Sequence, residues 1–181
     1  MNVVLLNNRI YHHKVLLVNY TTYNLRRAQD SINPCTHGDI MVLSDEDDQK
    51  NGHPYWYACI ISIFHTVVVH KGSKSNSQEP KKMDFLFVRW FGLDASSKAW
   101  GGWKAKKLHQ IGFIEGDAAF GFIDPADVIH AVHLIPRFSE GRTKELLGRS
   151  FSRSAVEKDE DWFRYYVNMY VHSGSQSYFT S

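Results

Sequence analysis

Apolar residues come in short runs rich in Val, Ile, Phe, Tyr and Trp, separated by clusters of Gly, Pro, Asp and Ser. That is the pattern of strands and turns. The runs predict strands over 14–24, 39–43, 54–70, 83–92, 104–114, 128–136 and 161–172, so the chain reads as mainly β. The segments 57–64 and 85–91 are apolar at nearly every position. Strands of that kind are buried on both faces, as at the centre of a small barrel. Between them, residues 71–82 are polar throughout and can bury nothing, which predicts a surface loop closing a long hairpin. Run 161–172 alternates, with Phe163, Tyr165, Val167, Met169 and Val171 on one face and Trp162, Arg164, Tyr166, Asn168, Tyr170 and His172 on the other. A helical turn is expected at 142–147, closed by Gly148, and 157–161 reads as a solvated acidic loop.

Length sets the scale: 181 residues suffice for about one domain. Aromatic residues make up 14% of the chain, enough to supply both a core and a ligand surface. The net charge of +2 does not compel a nucleic-acid partner, but residues 71–107 hold nine basic side chains against three acidic ones. The stretch 3–6 is too short for a secretory core, and the longest apolar run falls short of the ~18 residues of a membrane span. An intracellular, reduced protein without a membrane segment is expected. Neither Cys35 nor Cys59 has a cysteine partner at zinc-ribbon spacing. His130 and His133 stand at odd spacing, which in one strand sends them to opposite faces. No Gly-x-Ser-x-Gly elbow, phosphate loop or dinucleotide fingerprint is present, and Asp45 to Asp48 read as a solvated turn. No enzyme, metal or cofactor is therefore expected.

Four pieces in order carry a resemblance: Pro54-Tyr-Trp-Tyr-Ala-Cys-Ile-Ile-Ser-Ile-Phe64, Phe87-Val-Arg-Trp-Phe91, Pro125-Ala-Asp-Val-Ile-His-Ala-Val-His-Leu-Ile-Pro136 and Asp161-Trp-Phe-Arg-Tyr-Tyr166. Over residues 38–172 the chain resembles the bromo-adjacent homology (BAH) domain. A second resemblance, carried by Val18-Asn-Tyr-Thr-Thr-Tyr-Asn-Leu-Arg-Arg27, Gln29-Asp-Ser-Ile-Asn-Pro34 and the motifs around Trp56, Trp90 and Trp162, covers nearly the whole chain. It is to the C-terminal region of uncharacterised, transposon-associated proteins of mushroom-forming fungi; Cys35 stands where those typically read Arg.

These resemblances imply a small closed or partly open β-barrel over 38–172, with short helical turns and an N-terminal extension over 1–37 that packs on the barrel and adds a strand; the Ser-rich stretch 173–181 reads as a frayed tail. They imply a nuclear, non-catalytic module that reads or scaffolds a histone tail or another nuclear protein. Residue by residue, Tyr57, Trp90 and Phe113 match the rings of an aromatic cage and Asp94 its carboxylate; such a cage attracts a methylated ammonium through its π-faces. The alternative is a DNA- or RNA-binding accessory domain of a transposon-derived protein, using Lys81, Lys82, Lys104, Lys106 and Lys107, with Trp100 and Trp103 available to stack on bases.

Overall fold

A computed structural model describes residues 2–21, 27–44, 54–71, 79–93, 109–147 and 160–168. The protein is mainly β, a curled and partly open barrel. Its spine is the predicted hairpin, β5 (Tyr55–Lys71) against β6 (Lys81–Leu93). Both strands are long enough to take two neighbours each along one edge. β5 pairs β4 (Asp39–Leu43) through residues 55–59 and β1 (Asn2–His13) through residues 63–71. β6 likewise pairs β7 (Gln110–Phe113) near its end and β8 (Phe120–Ile123) further back. The sheet continues through β9 (Val128–Ala131) beside β4, and through β13 (Tyr165–Val167) and β10 (Leu134–Pro136) beside β7. β2 (Leu16–Thr21) and β3 (Arg27–Ile32) form a separate ribbon, as do β11 (Arg142–Thr143) and β12 (Asp161–Trp162).

The unbroken apolar runs now have a geometric cause. One face of the hairpin packs Ala58, Ile60, Ile63, Leu86 and Val88 with Ile40, Val42, Val128 and the ribbon residues Val18 and Ile32. The opposite face packs Tyr57 and Phe91 with Met41, Ile111, Val132, Leu134 and Val167. Each fully buried aliphatic or aromatic side chain is worth about 1.5–3 kcal/mol, so neither face can turn polar. A bulge adds to the effect: Ile60 faces Val88, but Ser62 faces Phe87. Ile61 is thus an extra residue, which keeps Ile63 and Leu86 on the same core face as Ile60 and breaks strict alternation.

Residues 2–37 supply β1 to the large sheet and the β2–β3 ribbon. The ribbon is tied down by Asp30, whose carboxylate accepts the Ala131 N–H at 2.9 Å and the Tyr20 hydroxyl at 3.3 Å. β1 carries its own irregularity, since Leu5 faces Val68 and Ile10 faces Thr66; Asn7 and Asn8, in left-handed conformation, absorb the excess.

Two sequence expectations are corrected. Arg142 and Thr143 pair with Trp162 and Asp161 as a strand, where a helical turn was expected. The run from 161 is two strands, β12 and β13, broken at Phe163 and Arg164, because the chain exchanges β11 for β10 and β7 as its partner. Residues 169–172 of that run, and the 173–181 tail, lie outside the described residues. The expected strand over 128–136 is also divided, with His133 between β9 and β10 and His130 buried against Tyr20.

Candidate functional site

The hairpin register decides which rings can meet. Tyr57 faces Phe91 and Ala58 faces Trp90, so Tyr57 and Trp90 project from opposite faces. Tyr57 is 1% exposed within the second core, and burial pushes its phenol well above the ordinary range. Phe113 belongs to that core too, stacked on Phe91 at 4.3 Å and edge-on to Tyr165. The cage expected from Tyr57, Trp90 and Phe113 is therefore not assembled. Cross-strand partners share a face and successive pairs alternate, so Tyr57 and Trp90 cannot meet one ligand. Asp94, Lys104, Lys106 and Lys107 lie outside the described residues, as do Trp100 and Trp103. Lys81 and Lys82 are exposed at the start of β6, Lys82 in a surface ion pair with Asp84 at 2.7 Å.

Trp90 meets a different ring. Trp56 stands opposite Val42 on β4, two residues before Ala58 and on the same face as Trp90. The two indoles form a corner, with centroids 6.1 Å apart and planes at 79°. Small neighbours make room for it. Ala58 faces Trp90 across the hairpin, and a Cβ placed on Gly121 of β8 would lie 2.7 Å from the Trp90 Nε1.

This corner belongs to the wall of a concavity of about 790 Å³, within the usual range for ligand sites. Ile114, Ile123 and Ile129 supply apolar wall, and Asp127 supplies a carboxylate. Asp127 is held by a short 3-10 turn, Pro125–Asp127, which Asp124 caps by accepting the Ala126 N–H at 2.8 Å. Trp56 is 36% exposed, so a ligand can reach it. Indole rings set at 79° in a concavity that Asp127 also lines suit a weakly hydrated cation on an apolar stem.

On the other face, Arg89 and Asp161 form a two-pronged ion pair, both N···O distances 3.0 Å. The Arg89 guanidinium also lies 3.6 Å from the Phe113 ring centre. Phe113 is thus a seat for a cation of the protein itself. Neither Trp56 nor Asp127 was singled out from sequence as a site residue. Only the parity of the hairpin register separates Trp56 from its neighbour Tyr57.

The protein is thus a mainly β, partly open barrel with an indole corner opening on an apolar concavity. Comparison with family models, curated proteins and solved structures returned no match. Among the described residues, no group of three or more His, Cys, Asp or Glu is placed to hold a metal ion, and no helix is long and apolar enough to cross a membrane.

Proposed function

We propose that this chain is a non-catalytic, chromatin-associated binding module, a histone-tail or nuclear-protein reader or scaffold similar to BAH domains, and that Trp56, Trp90 and Asp127 receive its ligand. The single observation supporting this reading is the 79° indole corner in a concavity of about 790 Å³ that Asp127 also lines. A methylated lysine is the favoured guest. Its ammonium is large and weakly hydrated, its stem is apolar, and cation–π contact with desolvated rings is worth about 2 kcal/mol or more. The resemblance over 38–172 supports the chromatin setting and a nuclear location.

The test is an array of modified and unmodified histone-tail peptides, followed by calorimetry on the best binder. Trp90→Ala is expected to weaken binding by about thirty-fold or more while leaving the far-ultraviolet spectrum unchanged. Asp127→Asn is expected to weaken methyl-lysine selectivity more than overall peptide affinity. An array with no binder, or a binder indifferent to both Trp56→Ala and Trp90→Ala, refutes the reading.

A further inference from the structure

At the rim of the first core the strand register brings two imidazoles together. Tyr11, His65 and Asp84 form one row across β1, β5 and β6, and His13, Ile63 and Leu86 form a second row on the same face. Ile63 and Leu86 belong to the core, so the face turns from aliphatic to ionisable between these rows. His13 Nε2 lies 2.5 Å from His65 Nδ1, with the ring centroids 4.8 Å apart and the planes at 26°. Both rings are half-buried. Tyr11 stacks on His65 at 4.7 Å, and exposed Asp84 pairs with Lys82 at 2.7 Å.

We infer that His13 and His65 are a two-imidazole seat for a divalent transition ion of the zinc, nickel and copper kind. The chemistry of the facing nitrogens selects that occupant. A neutral imidazole carries one N–H and one nitrogen with a free lone pair, so a single proton between the rings satisfies the pair as one hydrogen bond. Moving that proton to the far nitrogen of its own ring leaves two lone pairs facing one gap. Neutral imidazole suits zinc, nickel and copper, whereas magnesium and calcium take oxygen. Zinc–nitrogen bonds of ~2.0–2.1 Å at a tetrahedral angle set two ligand nitrogens about 3.3 Å apart, so the facing nitrogens need to part by only about 0.8 Å from their 2.5 Å separation. Among the described residues no third ligand is placed to join them, so the remaining positions are open to water.

The fold gives such an ion a task. Every residue of β1 from Val3 to His12 is exposed, so this strand buries little side chain and depends on its pairing with β5. A metal bridge from His13 to His65 ties the end of β1 to the hairpin across 52 positions of chain. Clips that close long loops stabilise most, because they remove the most freedom from the open state. The ion is thus a clamp on the N-terminal strand, and filling the seat favours the docked form of β1 by mass action.

The experiment is calorimetry of Ni2+ into the full chain, with Mg2+ as the control, followed by hydrogen exchange of β1 with and without Ni2+. Ni2+ is expected to bind and to slow exchange across residues 2–13, and Mg2+ to do neither. His13→Gln and His65→Gln keep a hydrogen-bonding group and lose the ligand. Loss of even an outer partner costs a metal site about 10–100-fold, so each variant is expected to weaken Ni2+ binding about ten-fold or more. Metal-free exchange of β1 is expected to stay near that of the parent in both. His13→Cys, which restores a ligand at the same place, is expected to recover Zn2+ binding. His12→Ala alters a ring that packs on Phe64 on the opposite face, and it is expected to leave Ni2+ affinity unchanged, as is Trp90→Ala in the indole corner. No Ni2+ binding, binding undiminished in both glutamine variants, or binding that leaves β1 exchange as it was overturns the inference. So does an equal loss in His12→Ala, which would assign the ion to scattered surface histidines.

Discussion

Removing one partner of the Arg89–Asp161 pair is the most demanding test of how this fold is held together. The two side chains are 5% and 3% exposed, and they meet through two parallel contacts of 3.0 Å. Asp161→Ala leaves a buried guanidinium against Phe113, its Nε without a hydrogen-bond partner among the described residues. Breaking a buried pair in this way costs about 3–5 kcal/mol, because the surviving charge keeps its desolvation penalty and loses its compensation. Domains of this kind have about 5–15 kcal/mol in total, so much of the native stability is at stake. Urea denaturation followed by tryptophan fluorescence measures it. The decisive comparison is the double variant Arg89→Met with Asp161→Leu, which removes both charges at similar bulk. It is expected to recover most of the loss, short of the ~0.5–2 kcal/mol contributed by the guanidinium on Phe113. An Asp161→Ala protein destabilised by less than about 1 kcal/mol, or a double variant no better than the single one, refutes the argument.

Two further outcomes follow from the packing. Gly121→Ala places a methyl 2.7 Å from the Trp90 Nε1, so the indole must move; a cost of about 1–3 kcal/mol and a shifted tryptophan emission are expected, and unchanged emission with unchanged stability contradicts the packing. Burial lowers the His109 pKa below 6.5, so below that pH the unfolded chain binds more protons than the folded one. Stability is therefore expected to fall as pH drops through 6.5 and below, and His109→Gln is expected to flatten part of that fall in urea midpoints measured across the range. A variant curve parallel to that of the parent removes His109 from the account.

The β content and the central hairpin were legible because runs of Val, Ile, Phe, Tyr and Trp with polar breaks have few other uses. The strand over 39–43 was read with its observed bounds. Parity was not legible. The polar stretch 71–82 is too long to set a register, and a slip of one residue moves every side chain to the other face. The resemblance pointed to Tyr57 beside Trp90, whereas Trp56 stands there, and the extra residue at Ile61 hid the remaining alternation. A strand was expected from the 1–37 extension, but β1 was not among the runs because Asn7-Asn8 resembles a stop, whereas two left-handed asparagines let the strand resume at Ile10. The break inside 161–167 has a long-range cause: Asp161 is drawn to Arg89, 72 positions away, and no local pattern announces that pairing.

The triplet Arg89-Trp90-Phe91 shows how alternation assigns roles within one short motif. Arg89 and Phe91 turn to the closed face, where one clamps Asp161 and the other stacks on Phe113; Trp90 turns to the open concavity. Substitutions at Arg89 or Phe91 are therefore expected to act through folding, and Trp90→Ala to alter the concavity while leaving the closed face intact.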